Sequence, residues 1–120
     1  MRILFTGSRT WTDVETMMAA IYLTVDEYKP AKEDTVFVHG ACPRGADKIA
    51  DGLGKAWEVT IETHPADWSQ GRSAGFKRNK HMVDLGADVC LAFIKDNSKG
   101  ATHTVNLAQA AGIPTKIYRA

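Results

Sequence analysis

Five short runs of apolar and β-branched residues divide the chain, and between them apolar residues recur at three- and four-residue spacing. The runs are Ile3-Leu4-Phe5, Thr35 to Val38, Val59 to Thr63, Asp88 to Ile94 and Thr115 to Tyr118. Short apolar runs that alternate with helical periodicity describe a parallel sheet with helices on both faces. Right-handed crossovers then restrict the topology to a doubly wound α/β/α sandwich, Rossmann-like, with five parallel strands ordered 3-2-1-4-5. No internal repeat or low-complexity stretch interrupts the pattern, and 120 residues suffice for one core, so residues 1–120 read as a single domain.

The helical segments are legible in outline. Thr12, with Glu15 three positions on, reads as the capping box of a first helix whose apolar face is Val14, Met17, Met18, Ile21, Tyr22 and Val25. Pro30 ends it. Helical periodicity resumes at Ala46, Ile49, Ala50, Leu53 and Ala56 in a second helix. A third runs from about Ala74 to Leu85 with Phe76, Met82, Val83 and Leu85 as inner residues, and a fourth from Thr102 to Ala111, stopped by Gly112 and Pro114.

Composition enters as a set of exclusions. Fifteen basic against fourteen acidic residues leave a net charge of +1, so nucleic-acid binding would need a local basic patch and is disfavoured. No apolar run approaches the ~20 residues of a membrane span, and the N-terminus enters a strand at once where a signal peptide would need a long apolar segment. The expected location is therefore cytoplasmic. Cys42 and Cys90 form no CxxC pair and have no companion histidine spacing, so neither a metal site nor a cofactor is expected. Cys90 reads as core and Cys42 as a loop residue.

In such a sheet the C-terminal ends of strands one, two and four meet at one crevice. Thr6, Gly7, Ser8 and Arg9 follow the first strand; His39, Gly40, Gly45, Ala46 and Asp47 follow the second; Lys95, Asn97, Ser98 and Gly100 follow the fourth. Arg78 and Asn79 join from the preceding helix. Helix N-termini behind glycine-containing loops offer free N–H groups and the positive end of the dipole, which suits phosphate. An arginine fork would hold that phosphate and Asp47 the hydroxyls of a ribose. Trp11 and Trp68 would either pack at the boundary or stack on a base. Asp47 and His39 are the candidates for catalysis. Against these stand plainer roles: His39 as a hydrogen-bonded loop residue, Asp47 as a first-turn carboxylate, and Lys77, Arg78, Lys80 and His81 as a solvated helix face.

These residues also carry a resemblance. Phe5-Thr6-Gly7-Ser8-Arg9 with Trp11 and Asp13, His39-Gly40 with Gly45-Ala46-Asp47, Pro65-Ala66-Asp67-Trp68, Gly75, Arg78-Asn79 with Met82, Ala87-Asp88 and Gly112-Ile113-Pro114 resemble the SLOG superfamily of Rossmann-like proteins. The similarity is greatest to its small stand-alone branch in bacteria and their phages. The superfamily includes cytokinin-activating phosphoribohydrolases and a DNA-processing protein. The resemblance implies a nucleotide or nucleotide-derived ligand, such as ADP-ribose, cyclic ADP-ribose, NAD or a nucleoside phosphate. It also implies a homodimer or higher homo-oligomer, since relatives pair through helices.

Likeness to the phosphoribohydrolases is partial. Arg78 with Met82 matches their arginine and methionine, but their PGGxGTxxE stretch corresponds here to Asn97-Ser98-Lys99-Gly100-Ala101-Thr102-His103-Thr104. This places Ala101 and Thr102 with Gly100 in the expected ligand-binding set. Ala101 occupies the threonine position and Thr104 the glutamate position. Threonine cannot act as a general base near neutral pH. The reading ranked first is therefore a sensor or sequestering module for a nucleotide-derived signal, in a phage setting a counter-defence protein. Second is a hydrolase of an N-glycosidic or phosphate bond with Asp47 or His39 in the missing role. Third is a nucleic-acid-binding protein.

Overall fold

The computed structural model describes residues 1–120. Five parallel strands, β1 (Arg2–Gly7), β2 (Val36–His39), β3 (Thr60–Thr63), β4 (Val89–Ile94) and β5 (Thr115–Arg119), form one sheet. Their order is β3-β2-β1-β4-β5, as the crossover rule predicts. Four helices connect them: α1 (Val14–Tyr28), α2 (Ala46–Ala56), α3 (Ala74–Asp84) and α4 (Lys99–Ala110). Short 3₁₀ turns at Lys32–Asp34 and Trp68–Gln70 complete the chain.

The central strands are covered on both faces, which is why β4 is buried along its whole length and reads as an unbroken apolar run. On one face Ile3, Phe5, Phe37, Leu91 and Phe93 pack against Met17, Ala20 and Ile21 of α1 and Ala46 and Ala50 of α2. On the other, Leu4, Val38 and Cys90 meet Met82 and Val83 of α3 and Ala108 of α4. Fully burying a side chain of the size of Phe5 or Leu91 stabilises the fold by about 1.5–3 kcal/mol relative to leaving it exposed. The sheet is thus fixed by its middle, and its C-terminal edge can be given over to polar loops.

Four local expectations are corrected. Helix α1 is capped by Asp13 and not Thr12: its carboxylate accepts from the Thr16 amide at 3.0 Å and the Thr16 hydroxyl at 2.6 Å. A carboxylate is the stronger acceptor, so the helix begins one residue later. The buried stripe of α1 is Met17, Ala20, Ile21 and Thr24, with Val14, Tyr22 and Val25 exposed. The apolar sector is wider than the sheet beneath it, and the small Ala20 and Thr24 permit the closest approach. In α3, Met82 and Val83 are buried but Phe76 and Leu85 are about half exposed, because a helix lying on a sheet buries only one stripe. Helix α4 starts at Lys99, three residues earlier than its periodicity suggests. The Ser98 hydroxyl accepts from the Ala101 amide at 3.4 Å, and that cap recruits Lys99 and Gly100 into the first turn although neither adds to the apolar pattern.

Candidate functional site

The loops after β1, β2 and β4, with α3 behind them, enclose an open crevice of about 360 Å³ at the C-terminal edge of the sheet. Thr6, Gly7, Ser8, Arg9, Gly40, Asp47, Arg78, Asn79, Lys95, Gly100 and Ala101 line it together. Phe5 and Met82 form its apolar floor, while Thr10, Cys42, Arg44, Asp96 and Ser98 add to the rim.

Several of these side chains spend most of their hydrogen bonds on building the crevice. The Ser8 hydroxyl donates to the Lys95 carbonyl at 2.8 Å and accepts from the Lys95 amide at 2.7 Å, which staples the β1 loop to the end of β4. Thr10 donates to Asp96 at 3.1 Å and closes the same seam further out. Arg78 is a strut: its Nη1 donates to the Gly40 carbonyl and, at 3.3 Å, to that of His64, while Nε donates to Asn79 at 2.9 Å. Gly40 is required here, since a Cβ at this position would lie 2.5 Å from Arg78 Nη1 and 2.8 Å from Cζ. Burial draws the Arg78 pKa below its ordinary value and the negative charge of Asp47 opposes the shift. At neutral pH the guanidinium remains charged.

Asp47 is the buried carboxylate of the site, 8% exposed. Oδ2 accepts from the Gly40 amide at 3.2 Å and the Cys42 amide at 3.3 Å, which fixes the β2 loop over the first turn of α2. Oδ1 has no acceptor bond within the protein, and no buried side-chain oxygen is left unsatisfied, so it meets solvent in the crevice. Burial pushes the Asp47 pKa up, and the two amides and the Arg78 charge oppose it only in part.

The backbone around the crevice is held in uncommon conformations. Gly45, before α2, has φ 77° and ψ −147°, a region essentially reserved for glycine. Ala41, Asp96 and Asn97 are non-glycine residues with φ of 59°, 57° and 51°, all on loops at this edge. Such residues cost roughly 1–3 kcal/mol each and persist where the surroundings over-determine them.

The charge distribution follows the topology. Arg9, Arg44, Arg72, Lys77, Arg78, Lys95 and Lys99 lie on loops or first helical turns at the C-terminal edge. Glu33, Asp34, Glu58, Asp84 and Asp88 lie in the segments that enter strands at the opposite edge. Acidic residues share the crevice edge, with Asp47 and Asp96 on the crevice wall itself, so its positive character is local to Arg9, Arg44, Arg78 and Lys95. Arg9, Arg44 and Lys95 form no salt bridge or side-chain hydrogen bond. The amides of Arg9 and Thr10 likewise have no acceptor within the protein.

The remaining expected residues lie elsewhere. Trp11 is not on the crevice wall: it is 2% exposed, packs on Phe93 with ring centroids 5.4 Å apart, and donates from Nε1 to the Asp13 carbonyl at 2.9 Å. Its ring fills the core where β1 leaves the sheet. His39 turns away from the crevice, and both ring nitrogens are occupied. Nδ1 accepts from the Ala41 amide at 3.0 Å, which leaves Nε2 to donate to Asp51 at 2.9 Å. A ring so held has no free nitrogen for proton transfer. Gly45 and Ala46 back the β1 turn, where the Ala46 amide donates to the Ser8 carbonyl at 3.2 Å. Thr102 is exposed on α4 and donates to its own helix at Ser98. Thr104 is fully buried, with its hydroxyl 3.3 Å from the Gly100 carbonyl. Trp68 stands outside the crevice, 56% exposed against Gly75. Arg44 was missed by sequence reasoning, although any residue between Gly40 and the start of α2 must ride on this rim. No three His, Cys, Asp or Glu side chains converge to hold a metal ion, and no helix is long and apolar enough to cross a membrane.

A parallel five-stranded sheet of order 3-2-1-4-5, with helices on both faces and an open crevice at its switch point, defines a Rossmann-like protein. The chain belongs to the YspA, cpYpsA-related SLOG family (YAcAr), whose family model matches residues 1–71. It is also similar to the Gene 61 protein of Mycobacterium phage D29, at 45% identity over 119 residues, covering 94% of this chain and 92% of the phage protein. No solved structure matches it.

Proposed function

We propose that the chain binds a nucleotide or nucleotide-derived ligand, of the ADP-ribose, cyclic ADP-ribose, NAD or nucleoside-phosphate type, in the crevice between β1, β2 and β4. One observation carries this reading: Arg9, Arg44 and Lys95, none of them paired, line the same crevice as the buried Asp47, whose Oδ1 accepts no hydrogen bond within the protein. Such a site asks for a ligand that is anionic at one end and carries hydroxyl or amino donors at the other. A phosphorylated ribose satisfies both demands. The α4 N-terminus and the Arg9 and Thr10 amides receive phosphate, and Asp47 Oδ1 accepts from ribose hydroxyls. Membership of the SLOG family supports a small-molecule ligand of this class.

The mode of action we favour is sensing or sequestration without turnover. The position of the phosphoribohydrolase glutamate holds Thr104, fully buried and bonded to its own helix, so no base stands there to activate water. The similarity to a phage protein fits sequestration of a host nucleotide signal as counter-defence in a cytoplasmic setting. Calorimetric titration with ADP-ribose, cyclic ADP-ribose, NAD and nucleoside monophosphates tests the proposal. Binding of at least one is expected, with Arg9→Ala and Arg44→Ala each weakening it about tenfold, the worth of one charge-assisted hydrogen bond. No heat of binding from any of them at high micromolar concentration would overturn it.

Hydrolysis is the second reading, and it rests on Asp47 alone. A carboxyl whose pKa is pushed up by burial, with one oxygen open to the crevice, is a possible acid or base. Mass spectrometry of each nucleotide after prolonged incubation decides between the two: intact ligand retires the enzyme, and a product that vanishes in Asp47→Asn establishes it.

A further inference from the structure

We propose that the binding groove continues past Arg78 into a second basin, so that the chain prefers a dinucleotide, two nucleoside halves joined through phosphate, over a mononucleotide. The inference rests on reading the first crevice as a nucleotide site.

On the far side of Arg78 lies an open basin of about 450 Å³, and Arg78 lines both it and the crevice. Each volume is within the ~300–1,000 Å³ usual for small-molecule sites. His64 enters from the end of β3, Gln70 from the 3₁₀ turn, and Lys77 and His81 from one face of α3, four residues apart. His64 is already paired with Glu62 at 2.7 Å, so the open cation of the basin is Lys77. Lys80 on the same helix is held by Asp84 at 2.9 Å, whereas Lys77 has no carboxylate partner. The carboxylate that faces this basin, Asp67, is already engaged by Ser69 and Gln70. The imidazoles of His64 and His81 stand edge to face with centroids 5.4 Å apart, a polar aromatic wall at the far end.

Arg78 is the hinge of the inference. Its Nη1 and Nε are committed to the Gly40 and His64 carbonyls and to Asn79, so the guanidinium cannot swing aside. Nη2 alone has no acceptor within the protein. A planar cation fixed on the divide, with one free N–H edge, is placed to hold the phosphate that links two halves lying on either side. A mononucleotide would use only the first crevice and leave Lys77 and His81 untouched.

Calorimetry with AMP, NAD and a linear diadenylate tests this on the wild-type chain and on a Lys77→Ala, His81→Ala double variant. Both residues are exposed, and a thermal melt matching wild type confirms that the variant folds. NAD or the diadenylate is expected to bind at least tenfold more tightly than AMP. The double variant should bring the dinucleotide down to AMP affinity and leave AMP unchanged. If AMP binds and neither dinucleotide binds more tightly, or if the variant weakens both classes equally, the second basin is refuted while the crevice reading stands. If none of the three binds, the dinucleotide inference is refuted, and the crevice reading falls with it when ADP-ribose and cyclic ADP-ribose fail to bind as well.

Discussion

Asp47 supplies two separable interactions, and two substitutions pull them apart. Asp47→Ala removes the acceptor of the Gly40 and Cys42 amides, at 3.2 and 3.3 Å, in a buried position. Hydrogen bonds to a charged acceptor contribute about 1.5–3 kcal/mol each, and loss of the costly buried charge offsets part of that. A net destabilisation of about 2–4 kcal/mol follows, which for a chain of this length lowers the melting temperature by about 8–16 °C. Asp47→Asn behaves differently. Its amide oxygen can accept both N–H groups, while its NH2 replaces Oδ1 toward the crevice. Because burial raises the Asp47 pKa in the fold, the native state holds its proton more tightly than the unfolded chain. Ionisation of Asp47 therefore lowers stability as pH rises from the unfolded value through the higher folded one. Asp47→Asn should match or exceed wild-type stability at pH 7, with the difference vanishing below the unfolded carboxylate pKa. Urea unfolding from pH 3 to 8, beside titration with ADP-ribose, reads both effects. An Asn variant as unstable as the Ala variant, or one that keeps full affinity for a ribose-bearing ligand, would refute the assignment of the two oxygens.

Three other expectations follow from the geometry. Gly45→Ala should cost about 3 kcal/mol or more: the position is left-handed at φ 77°, and a Cβ there would run into the Ser8 carbonyl and lie 2.6 Å from Arg9 Cα. A melting temperature within a few degrees of wild type would contradict this. Glu62 forms a two-pronged pair with Arg2 at 2.8 Å and a further bond to His64 at 2.7 Å, which hold its pKa at about 2. The pair is about one-third exposed, so solvent screening limits Glu62→Gln to about 1–2 kcal/mol. That loss should be full above the unfolded glutamate value of 4.5 and disappear as pH falls toward 2, as pH-dependent unfolding would show. Finally, burial pushes the Cys90 thiol up to about 12, while Cys42 stands half-buried on the crevice rim. A thiol-reactive dye at pH 8 should label Cys42 alone in the native protein and both cysteines in denaturant. Protection of Cys42 by bound ligand would tie it to the crevice.

The sequence by itself determined the elements and their order. Buried parallel strands must read as apolar runs, as Val89 to Ile94 does, and right-handed crossovers leave few ways to arrange five of them. It also determined which loops meet, because strand ends in a doubly wound sheet have no other place to go; Gly7, Gly40, Arg78 and Gly100 were legible on that ground. Tertiary structure alone decided how each side chain spends its hydrogen bonds. Ser8 and Arg78 look like ligand groups in one dimension, and only the folded chain turns Ser8 into a staple and Arg78 into a strut. Trp11 and His39 sit in the right loops, yet packing on Phe93 and a partner twelve residues on in α2 draw them inward. Spacing along a chain specifies which backbone segments arrive together; which face a side chain shows, and whether its valences are already filled, depends on neighbours that are distant in sequence.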